Sequence, residues 1–472
     1  MESQEVARVL SSPSADRRSP RSFIPVKLDG YRLALFLLIV INVSRVHQAI
    51  GTIGQLRPAL ILVVLAGAYA ILNARKVSLR GLLKTVEAKL ILALFVLACL
   101  SAVAGISMGN SGKYILENYS KVVIAAFLLL AGIRHVRDLF AFVVAYVVGS
   151  GILAFLAIFI FKLTKSSGSE VARLAELYTF DSNDIGVVLL VGLPLALLVA
   201  QHSRGLRKWF AIGVIISLGV TFARSGSRGT LVGLVATGAV LLVALKTIPI
   251  WKRAAFVGAV AVALVVAAPP GYWVQMMTIF GLKEDYNWTS EDGRRQLMFR
   301  GLTYMSHYPL TGLGIYNFSR AECMSDLSEK VRAAVRGRGI RCSAAHNTYL
   351  QVGAEIGVAG LVLWCMLVFG GIRRLRRLRR RLPRAWRTGD AEQRFMYDAT
   401  LFLSTSIVGF ALTSLFVSFA WLDIIYILAM FQAGLTNAIR SRLAKDLAQQ
   451  PQPLPQPLGA RSAQPVALLP TM

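Results

Sequence analysis

The sequence predicts an all-α polytopic membrane protein with about 12 transmembrane helices. Three observations predict it. Of 472 residues, 55% are apolar and only 16% are charged, where a soluble domain carries about 25% charge. Mean hydropathy is +0.59. Long, nearly uncharged apolar runs recur between residues 33 and 440. These features exclude a soluble core, a disulfide-framework miniprotein and a disordered chain.

Only helices or closed barrels satisfy their backbone polar groups in lipid, and a spanning helix needs ~20 mainly apolar residues. The runs fall at 31–50, 56–73, 87–107, 118–133, 138–162, 183–201, 208–223, 228–246, 253–272, 348–371, 396–418 and 421–439. The fourth and seventh are short, and Arg45 and His47 interrupt the first. Residues 1–30 form a polar, basic tail. The apolar stretch 33–43 resembles a signal-peptide core, but Ser44-Arg45-Val46-His47 is a poor cleavage site, so it reads as an uncleaved first helix.

Orientation follows the Lys/Arg bias. With the N-terminus inside, 33 of the 52 basic residues face the cytoplasm. The run Arg373 to Arg387 is the strongest anchor. Both termini are then cytoplasmic. The expected organisation is a tail at 1–30, transmembrane helices 1–9 at 31–272, one large outer loop at 273–347, helices 10–12 at 348–440, and a C-terminal tail at 441–472. The last of these is rich in Pro and Gln. The outer loop mixes aromatics, glycine and charge, and is expected to fold as short helices.

The net charge of +28 raises nucleic acid as a partner. The bases sit in short loops between apolar runs, and no nucleic-acid motif accompanies them, so topology and the lipid bilayer explain them. Four cysteines include no CxxC pair, and five scattered histidines include no HExxH, which argues against a metal site. Cys323 and Cys342 share the outer loop. They pair if that face is oxidising and otherwise stay free thiols. Cys99 and Cys365 read as small helix residues.

Three stretches set charge beside glycine at the outer surface, where charge near lipid is costly and therefore a candidate for function. The first is Arg224-Ser225-Gly226-Ser227-Arg228-Gly229. If a helix starts here, the two arginines share a face, Ser225 or Ser227 caps it, and its N-terminus adds to an anion site suited to phosphate. The second is Gly293-Arg294-Arg295 with Arg300, before Tyr308-Pro309-Leu310-Thr311-Gly312-Leu313-Gly314. The third is His346-Asn347-Thr348-Tyr349-Leu350-Gln351, followed by Glu355, Gly357 and Gly360. A neutral His346 can accept a proton near pH 7, and Asn347 can cap the helix. The topology puts all three on one face, where a base and several arginines can converge. No DxD-like motif appears in the outer loops, so the expected site holds no metal and no cofactor. Arg45, His47 and Arg57-Pro58 also fall on the outer side and add a surface suited to lipid phosphates, or else snorkel to the bilayer.

At these residues the sequence resembles the bacterial O-antigen ligase family, within the group that also holds O-antigen polymerases and O-oligosaccharyltransferases. The likeness rests on Ser227-Arg228-Gly229, Gly293-Arg294, His307-Tyr308-Pro309-Leu310-Thr311-Gly312, and above all His346 to Gln351 with Glu355-Ile356-Gly357-Val358-Ala359-Gly360. Phe180-Asp181-Ser182-Asn183-Asp184 is similar to the segment preceding this core. The resemblance covers about residues 170–370. It implies an inner-membrane, multi-pass glycosyltransferase whose outer loop is periplasmic. Its donor would be a glycan on undecaprenyl pyrophosphate, and its acceptor a sugar hydroxyl of lipid A–core. By resemblance His346 is the base or orients the acceptor. Arg224, Arg228, Arg294, Arg295 and Arg300 hold the pyrophosphate, with Asn347, Tyr349 and Asn183 in support. The alternatives are a polymerase of the same group, which differs in acceptor, and, from a different class, a secondary transporter with broken helices at mid-membrane.

Overall fold

The computed structural model describes residues 28–73, 82–165, 172–174, 180–244, 249–281, 293–324 and 342–448. Of the expected tails at 1–30 and 441–472, residues 1–27 and 449–472 lie outside the described ones, as do Glu284, Asp285, Glu291 and Asp292 of the outer loop.

Every apolar run falls on a helix. In chain order these are α1 (Gly30–Ser44), α2 (Pro58–Leu72), α3 (Val86–Ala104), α4 (Met108–Gly132), α5 (Val136–Ile160), α6 (Ser182–His202), α7 (Leu206–Ser225), α8 (Arg228–Ala244) and α9 (Ile250–Ala267). Three short helices follow: α10 (Tyr272–Met277), α11 (Arg294–His307) and α12 (Phe318–Met324). Three long ones close the order: α13 (Thr348–Arg381), α14 (Ala391–Thr413) and α15 (Asp423–Ala448). Seven of the described helices (α3, α4, α5, α6, α7, α13 and α14) are long and apolar enough to cross a membrane, while α1, α2 and α8 are apolar but shorter. The described residues are thus mostly helical, with seven candidate spans among them.

The helix ends follow local chemistry. Asp181 caps α6 by accepting from the Asn183 and Asp184 amides, and Asp184 returns a bond to the Asp181 amide, a reciprocal cap. Asp390 and Gln393 do the same for α14. Gly226, with φ 57°, ends α7, in the left-handed conformation that closes many helices. One departure from an all-α chain is an antiparallel pair, β1 (Leu163–Lys165) and β2 (Ala172–Leu174), with Leu163 opposite Leu174. The apolar/polar alternation of Ala172-Arg173-Leu174 suits a half-buried strand better than a helix.

Polar contacts sort the helix ends into two opposite groups. At one end Arg45 pairs with Asp423 at 3.1 Å, Arg224 meets the end of α5, and the start of α13 bonds the end of α14, with the Thr348 amide donating to the Ser414 carbonyl. At the other end Arg32 pairs with Asp138, Arg137 with Glu392, His202 with Asp398, and Arg374 with Glu87. The basic run that begins at Arg373 therefore lies at the end opposite His346. Between the ends a continuous apolar core is centred on α6, α13, α14 and α15, while side chains such as Leu65, Val96, Leu100 and Val235 point outward, as a lipid-facing surface requires.

Helix α13 carries a sharp break. Ile356 has φ −125°, and Gly357 has φ 77° and ψ 178°. That second conformation is accessible essentially only to glycine. The break frees the carbonyls of Ala354 and Glu355, which accept from the Leu313 and Gly314 amides at 2.8 and 2.9 Å. The Val358 amide in turn donates to the Pro309 carbonyl at 2.8 Å. The loop 309–318 thus supplies partners for backbone groups that the helix gives up at the break. A Cβ on Gly357 would sit 2.6 Å from the Leu310 carbonyl oxygen. Gly357→Val is expected to destabilise the fold by at least ~1–3 kcal/mol through backbone strain alone. Differential scanning fluorimetry in detergent checks this, and an unchanged unfolding midpoint would refute the account of the break.

Candidate functional site

A small apolar cluster outside the main core, Leu297, Phe318, Ala345, Leu350 and Ala354, packs α11, α12 and the start of α13 together. It sets Arg294, at the first turn of α11, beside His346, just before α13. Asn347 caps α13 by accepting from the Tyr349 and Leu350 amides at 3.0 and 3.1 Å, which fixes where the helix begins. His346 itself has φ 47°, an uncommon conformation for a residue with a Cβ and one that tends to occur at functional sites. Its amide donates to the Ser418 hydroxyl at 2.9 Å. The Thr348 hydroxyl donates to the Val417 carbonyl and accepts from the Phe419 amide. The connection between α14 and α15 therefore holds His346 from behind.

Arg228, Arg294, His346 and Asn347 converge on one cavity of about 150 Å3, walled by Met298, Leu350, Leu415 and Phe416. That is well below the ~300–1,000 Å3 of a complete small-molecule site, so the space fits a headgroup and a reacting centre. Arg228 is aimed from the start of α8: its Nη1 donates to the Thr278 hydroxyl at 2.7 Å. Gln275, in α10 just before Thr278, donates to the Gly226 carbonyl at 3.1 Å. Ser227 caps α8 by accepting from the Thr230 amide. The Arg294 guanidinium lies over the Phe416 ring, 5.8 Å from its centroid.

Burial pushes the His346 pKa below the usual 6.5, the Arg294 charge lowers it further, and Asp181 opposes them. The imidazole is therefore neutral at pH 7, with a lone pair available to a proton. No side chain among the described residues hydrogen-bonds its ring.

The other expected site residues lie elsewhere. Arg224 ends α7, and Gly226 separates it from Arg228, so the two arginines share no helix face. Its guanidinium donates to the Ala157 and Phe161 carbonyls at 3.2 and 3.5 Å, satisfying acceptors that a helix end leaves open. Arg300 pairs with Glu322 at 2.8 Å, and Tyr304 also donates to that carboxyl. Arg295 is exposed and lies over Phe299. The Tyr349 hydroxyl donates to the Ala411 carbonyl, and Asn183 bonds Asp181. None of these five lines the cavity. Cys323 and Cys342 form a disulfide with Cα atoms 4.7 Å apart. Cys99 and Cys365 are half-buried free thiols in α3 and α13.

Residues 212–365 match the family model described as O-antigen ligase. These residues, about a third of the chain, are similar to that family. They span α7 to the first half of α13 and so contain Arg228, Arg294, His346 and Asn347. No curated protein matches the chain. Part of the cavity wall lies beyond the matched residues, since Leu415 and Phe416 follow α14. Sequence reading missed these two residues together with Ser418 and Thr278. The only hint was the Ser/Thr content of 413–418 where two apolar runs nearly touch.

The electrostatics generate a signed expectation. Protonation of His346 should extinguish activity on an acid limb placed below pH 6.5. Arg294→Gln removes a lowering influence, so the limb should move to higher pH, whereas Asp181→Asn should move it lower. Profiles of kcat/KM against pH check this, and a limb that stays fixed in both variants would contradict the role given to His346.

Proposed function

We propose that this protein transfers a glycan from undecaprenyl pyrophosphate to a sugar hydroxyl of lipid A–core at the periplasmic face of the bacterial inner membrane. The observation that carries this reading is the convergence of a neutral imidazole with the Arg228 and Arg294 guanidiniums in one cavity, on residues that match the O-antigen ligase family model.

The chemistry follows from those groups. The acceptor hydroxyl attacks the anomeric carbon while its proton passes to His346. The bond from that carbon to the pyrophosphate oxygen breaks, and the lipid pyrophosphate leaves with inversion. Negative charge grows on the bridging oxygen as the bond breaks. Fixed guanidiniums stabilise that charge more in the transition state than in the ground state. Arginine suits this task because its planar fork can bind two phosphate oxygens at once. The two arginines neutralise the pyrophosphate in this scheme without a metal ion. The periplasmic placement is supported by the basic run from Arg373, which marks the opposite end as cytoplasmic.

A polymerase of the same family would use the same donor and cavity and differ in acceptor. Glycan profiles after gene deletion separate the two. Loss of a ligase leaves long chains on the undecaprenyl carrier and bare lipid A–core, whereas loss of a polymerase leaves single units on lipid A–core.

Purified protein with lipid-pyrophosphate donor and lipid A–core acceptor provides the decisive assay. His346→Ala should lower the transfer rate by ~10²–10⁴ and Arg228→Ala by ~10²–10³. Arg228→Lys should recover only part of the loss. Near-normal transfer by the His346 variant would remove the base assignment, and full rescue by lysine would reduce Arg228 to a point charge. Transfer should also be indifferent to EDTA. Activity that EDTA abolishes and Mg²⁺ or Mn²⁺ restores would contradict the metal-independent scheme.

A further inference from the structure

A second, larger cavity of about 410 Å3 lies at the same end of the molecule. Its walls come from the end of α1, the connection from α1 to α2, the early part of α4 and the start of α15. The segment that follows α14 lines both cavities: Leu415 and Phe416 face the first, and Trp421, Leu422 and Asp423 face the second. Aromatic contacts tie the two sites across this segment. Phe419 stacks on Phe180, and the Arg45 guanidinium lies 4.9 Å from the Phe180 centroid.

The lining has two zones. Leu38, Leu60, Val63, Val122 and Ala125 supply an apolar zone. Arg45, Arg57 and Lys121 supply a cationic one, with the His47 imidazole beside them. Arg45 is neutralised by Asp423 at 3.1 Å. Arg57 and Lys121 have no ion-pair partner among the described residues, and Glu117 is the one other carboxyl in the lining. His47 Nδ1 is buried without a hydrogen-bond partner in the described structure. Arg45 and Arg57 both have left-handed backbone conformations, with φ 51° and 47°, so the chain turns sharply at each to enter and leave this wall. A free phosphate needs only the cationic zone. The apolar zone beside it, next to outward-facing Leu56 and Ile61 on α2 and its approach, suits a phosphate carried on a lipid.

We propose that this second cavity binds the phosphorylated headgroup of the glycolipid acceptor, with Arg57, Lys121 and His47 as its phosphate contacts. The inference rests on the transferase reading and deepens it. Donor and acceptor must meet at His346, both are anionic, and separate cationic pockets joined by one segment keep their charges apart. Its 410 Å3 falls within the ~300–1,000 Å3 of a complete small-molecule site, room for a bulkier group than the 150 Å3 of the first cavity.

The test is a binding titration on the full-length protein in phosphatidylcholine nanodiscs. The ligands are lipid A–core, its phosphatase-treated form, phosphatidylglycerol, inorganic phosphate and an isoprenyl pyrophosphate. The Arg57→Ala/Lys121→Ala variant should bind phosphorylated lipid A–core at least about tenfold more weakly, while its binding of the phosphatase-treated form and of the isoprenyl pyrophosphate stays as in the parent. Unchanged pyrophosphate binding also reports that the variant is folded. Arg228→Ala should show the converse pattern. The proposal is overturned if the double variant binds lipid A–core like the parent. It is equally overturned if phosphatidylglycerol or inorganic phosphate binds this cavity as tightly, since the site would then be a general anion or lipid contact. A parent protein that shows the expected binding pattern but transfers nothing would instead refute the transferase reading.

Discussion

The site depends on one buried carboxyl group. Glu355 stands at the break in α13 and accepts three hydrogen bonds, from the Tyr316 amide at 3.0 Å, the Phe318 amide at 3.2 Å and the Trp421 indole at 2.6 Å. Its backbone carbonyl accepts from the Gly314 amide and from the Ser101 hydroxyl at 2.7 Å. One residue thus joins the His346 helix to the outer loop, to the segment after α14 and to α3. Tyr316 takes a left-handed conformation, φ 63°, to present its amide. A buried carboxyl left unpartnered is costly, so these contacts are mutually enforcing. Both cavities inherit their shape from this knot, since Trp421 lines one and the loop residues it fixes carry α11 and Arg294 to the other.

Electrostatics divides the labour around it. His346 stays neutral because burial and a neighbouring guanidinium both disfavour a second cation there. The same guanidinium would stabilise charge on a leaving pyrophosphate. A cation near a base normally weakens it, but here the base needs only to receive a proton as the hydroxyl oxygen bonds to carbon. Low local dielectric strengthens each of these effects.

Apolar periodicity made the helices legible: each of the twelve runs falls on one, because a charge-free stretch near lipid has no other way to satisfy its backbone. The break at Gly357 was not legible, since Glu355 to Gly360 reads as uninterrupted helix until a loop from elsewhere supplies competing donors. Arginine identity pointed to the site but could not select among candidates. Arg228 and Arg294 line the cavity, whereas Arg224 and Arg300 are occupied by the Phe161 region and by Glu322, partners that only the folded chain brings near. The nonhelical segment 414–422 was hidden because its residues are as apolar as the helices it joins.

Substitution of Glu355 by glutamine tests the central constraint most directly. The amide NH2 would confront an N–H donor in place of an acceptor, a change of ~1–3 kcal/mol for a buried group. Measured on purified protein, Glu355→Gln should lower the unfolding midpoint and reduce glycan transfer more than tenfold, although the residue never touches substrate. A variant that unfolds and transfers like the parent would contradict the claim that this carboxyl holds the site together.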